Sequence, residues 1–162
     1  LFPMERYVPL PNQYKKLPLT NMLVIRGCPY VCTFCDQAGT GARTRSPEKT
    51  VDEIRHCVEE YGVREISFWD DTMSYNKKWM RAFCELLIDA NLDVIWSCYA
   101  AVNTVNQEIL FLMKKAGCYP VAVICEIMAV DGRMADYTDL NKLSQQHGLP
   151  MVSVKEVASL CI

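Results

Sequence analysis

The chain has 162 residues, 51% of them apolar and 22% charged, which suits one globular domain with a real core. Its formal net charge of −2 excludes a broad basic surface for nucleic acid or anionic lipid. No apolar run approaches the ~20 residues needed to cross a bilayer, and the first residues carry no basic-then-apolar export signal, so a cytoplasmic location is expected. The sequence opens on Leu1, as a piece of a longer protein would.

In chain order, residues 1–20 hold Pro3, Pro9, Pro11 and Pro18 and read as an irregular lead-in. A short apolar run at 21–27 predicts a buried strand. Residues 46–62 predict a helix, with Ser46 as N-cap, Pro47 in its first turn, Gly62 as its stop, and Val51, Ile54, Val58 and Tyr61 along one face. A strand follows at 64–71, then a helix at 76–92 with Trp79, Phe83, Leu86 and Leu87 inward, and a strand at 93–100. Thr104 and Gln107 read as the capping box of a helix over 106–117. A fourth strand is expected at 120–127. After it come a helix at 137–148, a short strand at 151–154 and a last helical turn at 155–160.

Short apolar strands alternating with helices predict a parallel α/β sheet covered on both faces, either doubly wound or a (β/α) barrel. In both folds, chemistry gathers at the carboxyl ends of the strands. Three features fall there: a cysteine loop after the first strand, Asp70 and Asp71 after the second, and Glu126 after the fourth.

The chain has nine cysteines. Without an export signal they are expected to be reduced thiols. Cys57, Cys84, Cys98, Cys118, Cys125 and Cys161 sit in apolar patterns and read as small buried hydrophobes. Cys28, Cys32 and Cys35 differ, because they share one loop at C-x-x-x-C-x-x-C spacing. Three thiolates suit an iron–sulfur cluster with one iron left open to a small molecule. A closed zinc site would need a fourth ligand, for which His56 and Cys57 are the nearest donors.

The stretches "LFPMERYVPLP", "RGCPYVCTFC", "RSPEKTVDEI", "YGVREISFWDDT" and "MKKAGCY" resemble the radical S-adenosylmethionine (SAM) enzymes over about residues 1–120. Within that superfamily they look like the branch associated with cobalamin-binding domains. The resemblance implies a partial, incomplete (β/α) barrel with a short βα tail. It implies that Cys28, Cys32 and Cys35 bind three irons of a 4Fe–4S cluster and that SAM chelates the fourth. Phe34 would pack near the adenine, Asp70 and Asp71 would meet the SAM amino group, and Glu126 would contact SAM. It further implies an electron donor such as flavodoxin or ferredoxin, a small-molecule substrate, and cobalamin held by a domain outside this chain. Two departures stand out. Ala101 lies where the family often has an arginine for the SAM carboxylate, and "VICEIM" replaces a "GIES"-like segment.

Residues 121–160 resemble something else, the carboxyl end of 3,4-dihydroxy-2-butanone 4-phosphate synthase of riboflavin biosynthesis. That resemblance places the synthase's essential glutamate on Glu126, as an alternative catalytic role. The segments that carry the synthase's metal ligands have no counterpart here, so its reaction is expected to be absent. The expected division is a lead-in at 1–20, a partial radical SAM core at 21–127 and a synthase-like tail at 128–162.

Overall fold

A computed structural model describes residues 14–33, 35–122, 131, 135–148 and 151. The chain divides into two compact units, Leu1–Ile124 and Cys125–Ile162.

In the first unit, four parallel strands pair in the order β1 (Leu19–Met22), β4 (Glu65–Phe68), β5 (Ile95–Tyr99), β6 (Cys118–Ala122). Between β1 and β4 run two short antiparallel strands, β2 (Ile25–Arg26) and β3 (Arg43–Thr44), and the helix α1 (Pro47–Tyr61). Helix α2 (Lys77–Ala90) links β4 to β5, and α3 (Gln107–Lys115) links β5 to β6. This is the repeated βα arrangement of an incomplete barrel.

The helices form where the sequence predicts, because caps and apolar spacing agree. The Ser46 side chain accepts from the Lys49 N–H, Pro47 opens α1, and Gly62 closes it at φ +64°. Asn76 caps α2 through the Trp79 N–H. The predicted inward residues of α2 hold: Trp79, Phe83 and Leu87 are buried and Leu86 packs partly against the core. On α1, Val51 and Ile54 are buried, whereas Tyr61 at the last turn is 39% exposed.

One face of the sheet carries the core. Ile66 and Phe68 of β4 and Trp96 and Cys98 of β5 point at the helices and are buried. Phe83 sits at the centre, 5.8 Å from Phe68, 5.3 Å from Trp96 and 5.2 Å from Trp79 by ring centroids. The Trp96 indole N–H reaches the Ala116 carbonyl at 2.8 Å, so the largest buried ring leaves no donor unpaired. Among the described residues, the opposite face is covered only at its amino end. There Glu65, fully buried, accepts the N–H groups of Lys15 and Lys16 and the Tyr119 hydroxyl. Towards the carboxyl end, Asn21, Trp69 and Tyr99 are exposed. Among the described residues the carboxyl end of this face is therefore uncovered, against the expectation of a sheet covered on both faces, since strand alternation sends alternate residues to it.

Four local expectations also change. The single strand predicted at 21–27 breaks into β1 and β2, because the Val24 and Ile25 N–H groups turn to the Asp70 carboxylate instead of a ladder. β1 starts at Leu19, inside the segment read as lead-in. Thr104 does not cap α3; its hydroxyl donates to the Ala101 carbonyl, and Asn106 caps the helix through the Ile109 N–H. The last sheet strand begins at Cys118, two residues before the expected start.

In the second unit, α4 (Tyr137–His147) forms as predicted, with Asp136 and Asp139 closing a capping box and Gly148 ending it at φ +63°. Most of the strand expected at 151–154 and the turn at 155–160 lie outside the described residues.

Candidate functional site

The cysteine loop leaves the sheet at the carboxyl end of β1 and returns before α1. Its neck is the β2–β3 ribbon, which pairs Ile25 with Thr44 and Arg26 with Arg43. Gly27 begins the loop at φ +82°, and a Cβ there would lie 2.0 Å from the Gly41 carbonyl oxygen. Only glycine permits that approach of the two loop ends. Cys28 follows, and its N–H donates to the Thr40 hydroxyl at 3.1 Å across the loop. That hydroxyl donates in turn to the Gln37 carbonyl.

Inside the loop, tight turns follow one another. The Cys35 N–H donates to the Cys32 carbonyl and the Ala38 N–H to the Cys35 carbonyl, both at 3.2 Å. The Gly39 N–H closes on the Tyr30 carbonyl at 2.8 Å. The backbone is thus tied to itself, while the thiols stay accessible. Cys32 is exposed, and Cys28 and Cys35 are half-buried.

The neck is held to the core from both sides. The Val24 carbonyl accepts the Arg45 N–H at 2.9 Å. The Arg45 carbonyl accepts the Trp79 indole N–H at 2.6 Å, and the Thr44 hydroxyl bonds the Tyr75 phenol at 2.7 Å. The ribbon and the bond from Trp79 to the Arg45 carbonyl carried no signal in the sequence, because two-residue strands and backbone acceptors have no periodicity to detect.

The two aspartates after β4 part company. Asp70 is 1% exposed; Asp71 is exposed. Burial raises the Asp70 carboxyl above the usual carboxylate range. The N–H groups of Ile25 and Val24 oppose that rise, and the Asp71 charge adds to it. Phe34 and Glu126 lie outside the described residues.

Among the described residues, no three His, Cys, Asp or Glu side chains converge as they would around a single metal ion. An iron–sulfur cluster makes a different demand, because each thiolate meets its own iron at a separate corner. Three thiols on one accessible, turn-bound loop suit that demand in their chemistry. They do not make a closed zinc site, which needs four donors at one point.

Of the other described cysteines, three are core. Cys84, Cys98 and Cys118 are buried. Burial pushes the Cys84 thiol up to about 12, and a hydrogen bond with Cys98, together with burial, raises Cys118. Half-buried Cys57 rises through burial and the nearby Glu53 charge. Cys125 and Cys161 lie outside the described residues.

The chain is similar to an uncharacterized methyltransferase of Pyrococcus horikoshii, 34% identical over 75% of this chain and 26% of the relative. Its fold is similar to the radical SAM methyltransferase TsrM of Kitasatospora setae, solved with tryptophan substrate and a SAM analogue. There the TM-score is 0.62 at 18% identity, over 81% of this chain and 29% of that one. It is also similar to the cobalamin-dependent SAM radical enzyme OxsB, solved with aqua-cobalamin and SAM, with TM-score 0.56 at 17% identity over 85% of this chain and 21% of that one. The chain therefore spans about a quarter of the length of the proteins it matches. The family model for 3,4-dihydroxy-2-butanone 4-phosphate synthase matches residues 107–160. Among the described residues, no helix is long and apolar enough to cross a membrane.

Proposed function

This chain is a relative of the radical SAM enzymes with a synthase-like tail, and from that premise we propose that residues 21–127 are a partial radical SAM core. Cys28, Cys32 and Cys35 hold three irons of a 4Fe–4S cluster. When bound, the reduced cluster supplies one electron to SAM, breaking its sulfonium–C5′ bond to give methionine and a 5′-deoxyadenosyl radical. The observation that carries this reading is the loop itself: three accessible thiols on a turn-locked segment at the carboxyl end of a parallel sheet.

The chain's own residues do the positioning. Gly27 and Thr40 close the loop, and Val24, Arg45 and Trp79 fix its neck to the core. By the family resemblance Phe34 would take the adenine side, and exposed Asp71 offers its carboxylate to SAM. The exposed surface at Asn21, Trp69 and Tyr99, at the carboxyl end of the sheet, is where a small substrate meets the radical. By the names of its relatives, methyltransferases and cyclases, that substrate is a small molecule to be methylated or cyclised, and cobalamin comes from a domain outside these residues. Flavodoxin or ferredoxin supplies the electron in the cytoplasm. The tail, residues 128–162, is a separate segment that lacks the synthase's metal-binding part, and ribulose 5-phosphate turnover is expected to be absent.

The test is anaerobic reconstitution with iron and sulfide, followed by EPR of the reduced protein with and without SAM. A 4Fe–4S signal that shifts with SAM and disappears in Cys32→Ala supports the reading. A preparation holding one zinc and no iron overturns it.

A further inference from the structure

We propose that Asp70 is a positioning residue that holds the entry of the cysteine loop, leaving Asp71 as the member of the pair that can meet a ligand. The second half of this statement rests on the radical SAM reading; the first half does not. Asp70 follows β4, beside the point where the chain quits β1 for β2. One carboxylate oxygen, Oδ1, accepts two consecutive backbone N–H groups, Val24 at 2.8 Å and Ile25 at 2.5 Å. Those donors have left the β1 ladder, so Asp70 stands in for a strand partner.

Val24 then joins both ends of the loop, since its N–H is held by Asp70 and its carbonyl accepts from Arg45. Three residues past Ile25 comes Cys28. A shift of the Val24–Ile25 backbone would therefore be carried straight into the first thiol. The other carboxylate oxygen, Oδ2, is also buried and makes no hydrogen bond. Asp70 is thus buried, with its Oδ1 spent on the backbone at the entry of the loop, and solvent does not reach it in this structure. Asp71, one residue on, is exposed. The family resemblance assigns both aspartates to the SAM amino group; the geometry separates them.

The test compares Asp70→Asn, Asp70→Ala and Asp71→Asn in the full chain. Asparagine keeps an oxygen that can accept both N–H groups, and alanine does not. Labelling rates of Cys28, Cys32 and Cys35 and exchange rates of the Val24 and Ile25 amides are read on the metal-free protein. Asp70→Asn is expected to keep slow exchange at both amides. Asp70→Ala is expected to speed exchange and loop labelling about tenfold, the scale of a lost buried hydrogen-bond partner. On reconstituted protein, Asp70→Asn should keep the SAM-induced EPR shift and Asp71→Asn should lose it.

Unprotected Val24 and Ile25 amides in Asp70→Asn would overturn the positioning role, and this readout stands even if Asp70→Ala does not fold. Loss of the SAM shift in Asp70→Asn, with its amides still protected, would overturn the division of labour. Failure to bind any cluster would sink the functional reading while leaving the metal-free measurements decisive for Asp70.

Discussion

At Gly27, one missing methyl group decides whether the cysteine loop can close. A Cβ there would meet the Gly41 carbonyl at 2.0 Å and the Thr40 hydroxyl at 3.0 Å, from a φ of +82°. The backbone conformation alone costs a non-glycine residue ~1–2 kcal/mol, and relief of the clash means moving backbone. Gly27→Ala is therefore expected to lower iron loading well below half and to speed labelling of Cys28, with little change in the melting of the core. Equal loading in variant and parent would contradict this. The remaining cysteines make a second prediction at this scale. Cys84 is buried, with its thiol pushed up to about 12, and Cys118 is raised in the same direction. For an acid whose folded pKa exceeds its unfolded value near 8.5, the unfolded chain loses its proton first. Stability contributed by these thiols is thus present below about pH 8.5 and falls as pH rises towards 12. At pH 8 an alkylating reagent should modify Cys28, Cys32 and Cys35 and spare Cys84, Cys98 and Cys118 until denaturant is added. Peptide mass spectrometry checks the pattern.

At the scale of elements, α2 connects core to site. Its inner face carries Phe83 into the aromatic cluster, and one turn earlier Trp79 stacks on that ring and reaches the Arg45 carbonyl. Trp79→Phe keeps the stack and removes the donor, leaving a partly buried carbonyl without it. The expected loss is ~1–3 kcal/mol in denaturant melts, with faster labelling of the loop thiols. A variant that melts like the parent would show that the neck does not depend on α2. The helices were legible because capping residues and 3.6-residue spacing are local properties: Ser46 and Gly62 act within a turn of themselves. The capping of α3 was misread because Thr104 and Asn106 both suit the role by type. Only the packing of Thr104 against Ser74 and Ala101 withdraws it.

For the whole molecule, the four-stranded sheet has free edges at β1 and β6 among the described residues, and the carboxyl half of one face is open. Exposed edges and a half-covered sheet favour association and limit cooperativity. We expect this chain to melt below ~65 °C, near the upper end of ordinary mesophilic domains, and to aggregate on heating. Calorimetry at two concentrations checks this, and a sharp, reversible transition well above that temperature would refute it.

Residue types and their spacing sufficed to identify the three loop cysteines, the βα alternation and the likeness of the two segments to two families. Those features depend on neighbours close in sequence, so they are written locally. The separation of Asp70 from Asp71 was not legible, because it depends on two N–H groups 46 and 45 residues earlier in the chain. Nor was the neck, whose hydrogen bonds join Val24, Arg45 and Trp79 across three elements. Composition told which residues could do chemistry. The tertiary structure alone decided which carboxylate is sealed in and which faces out, because burial is a property of everything that packs around a residue.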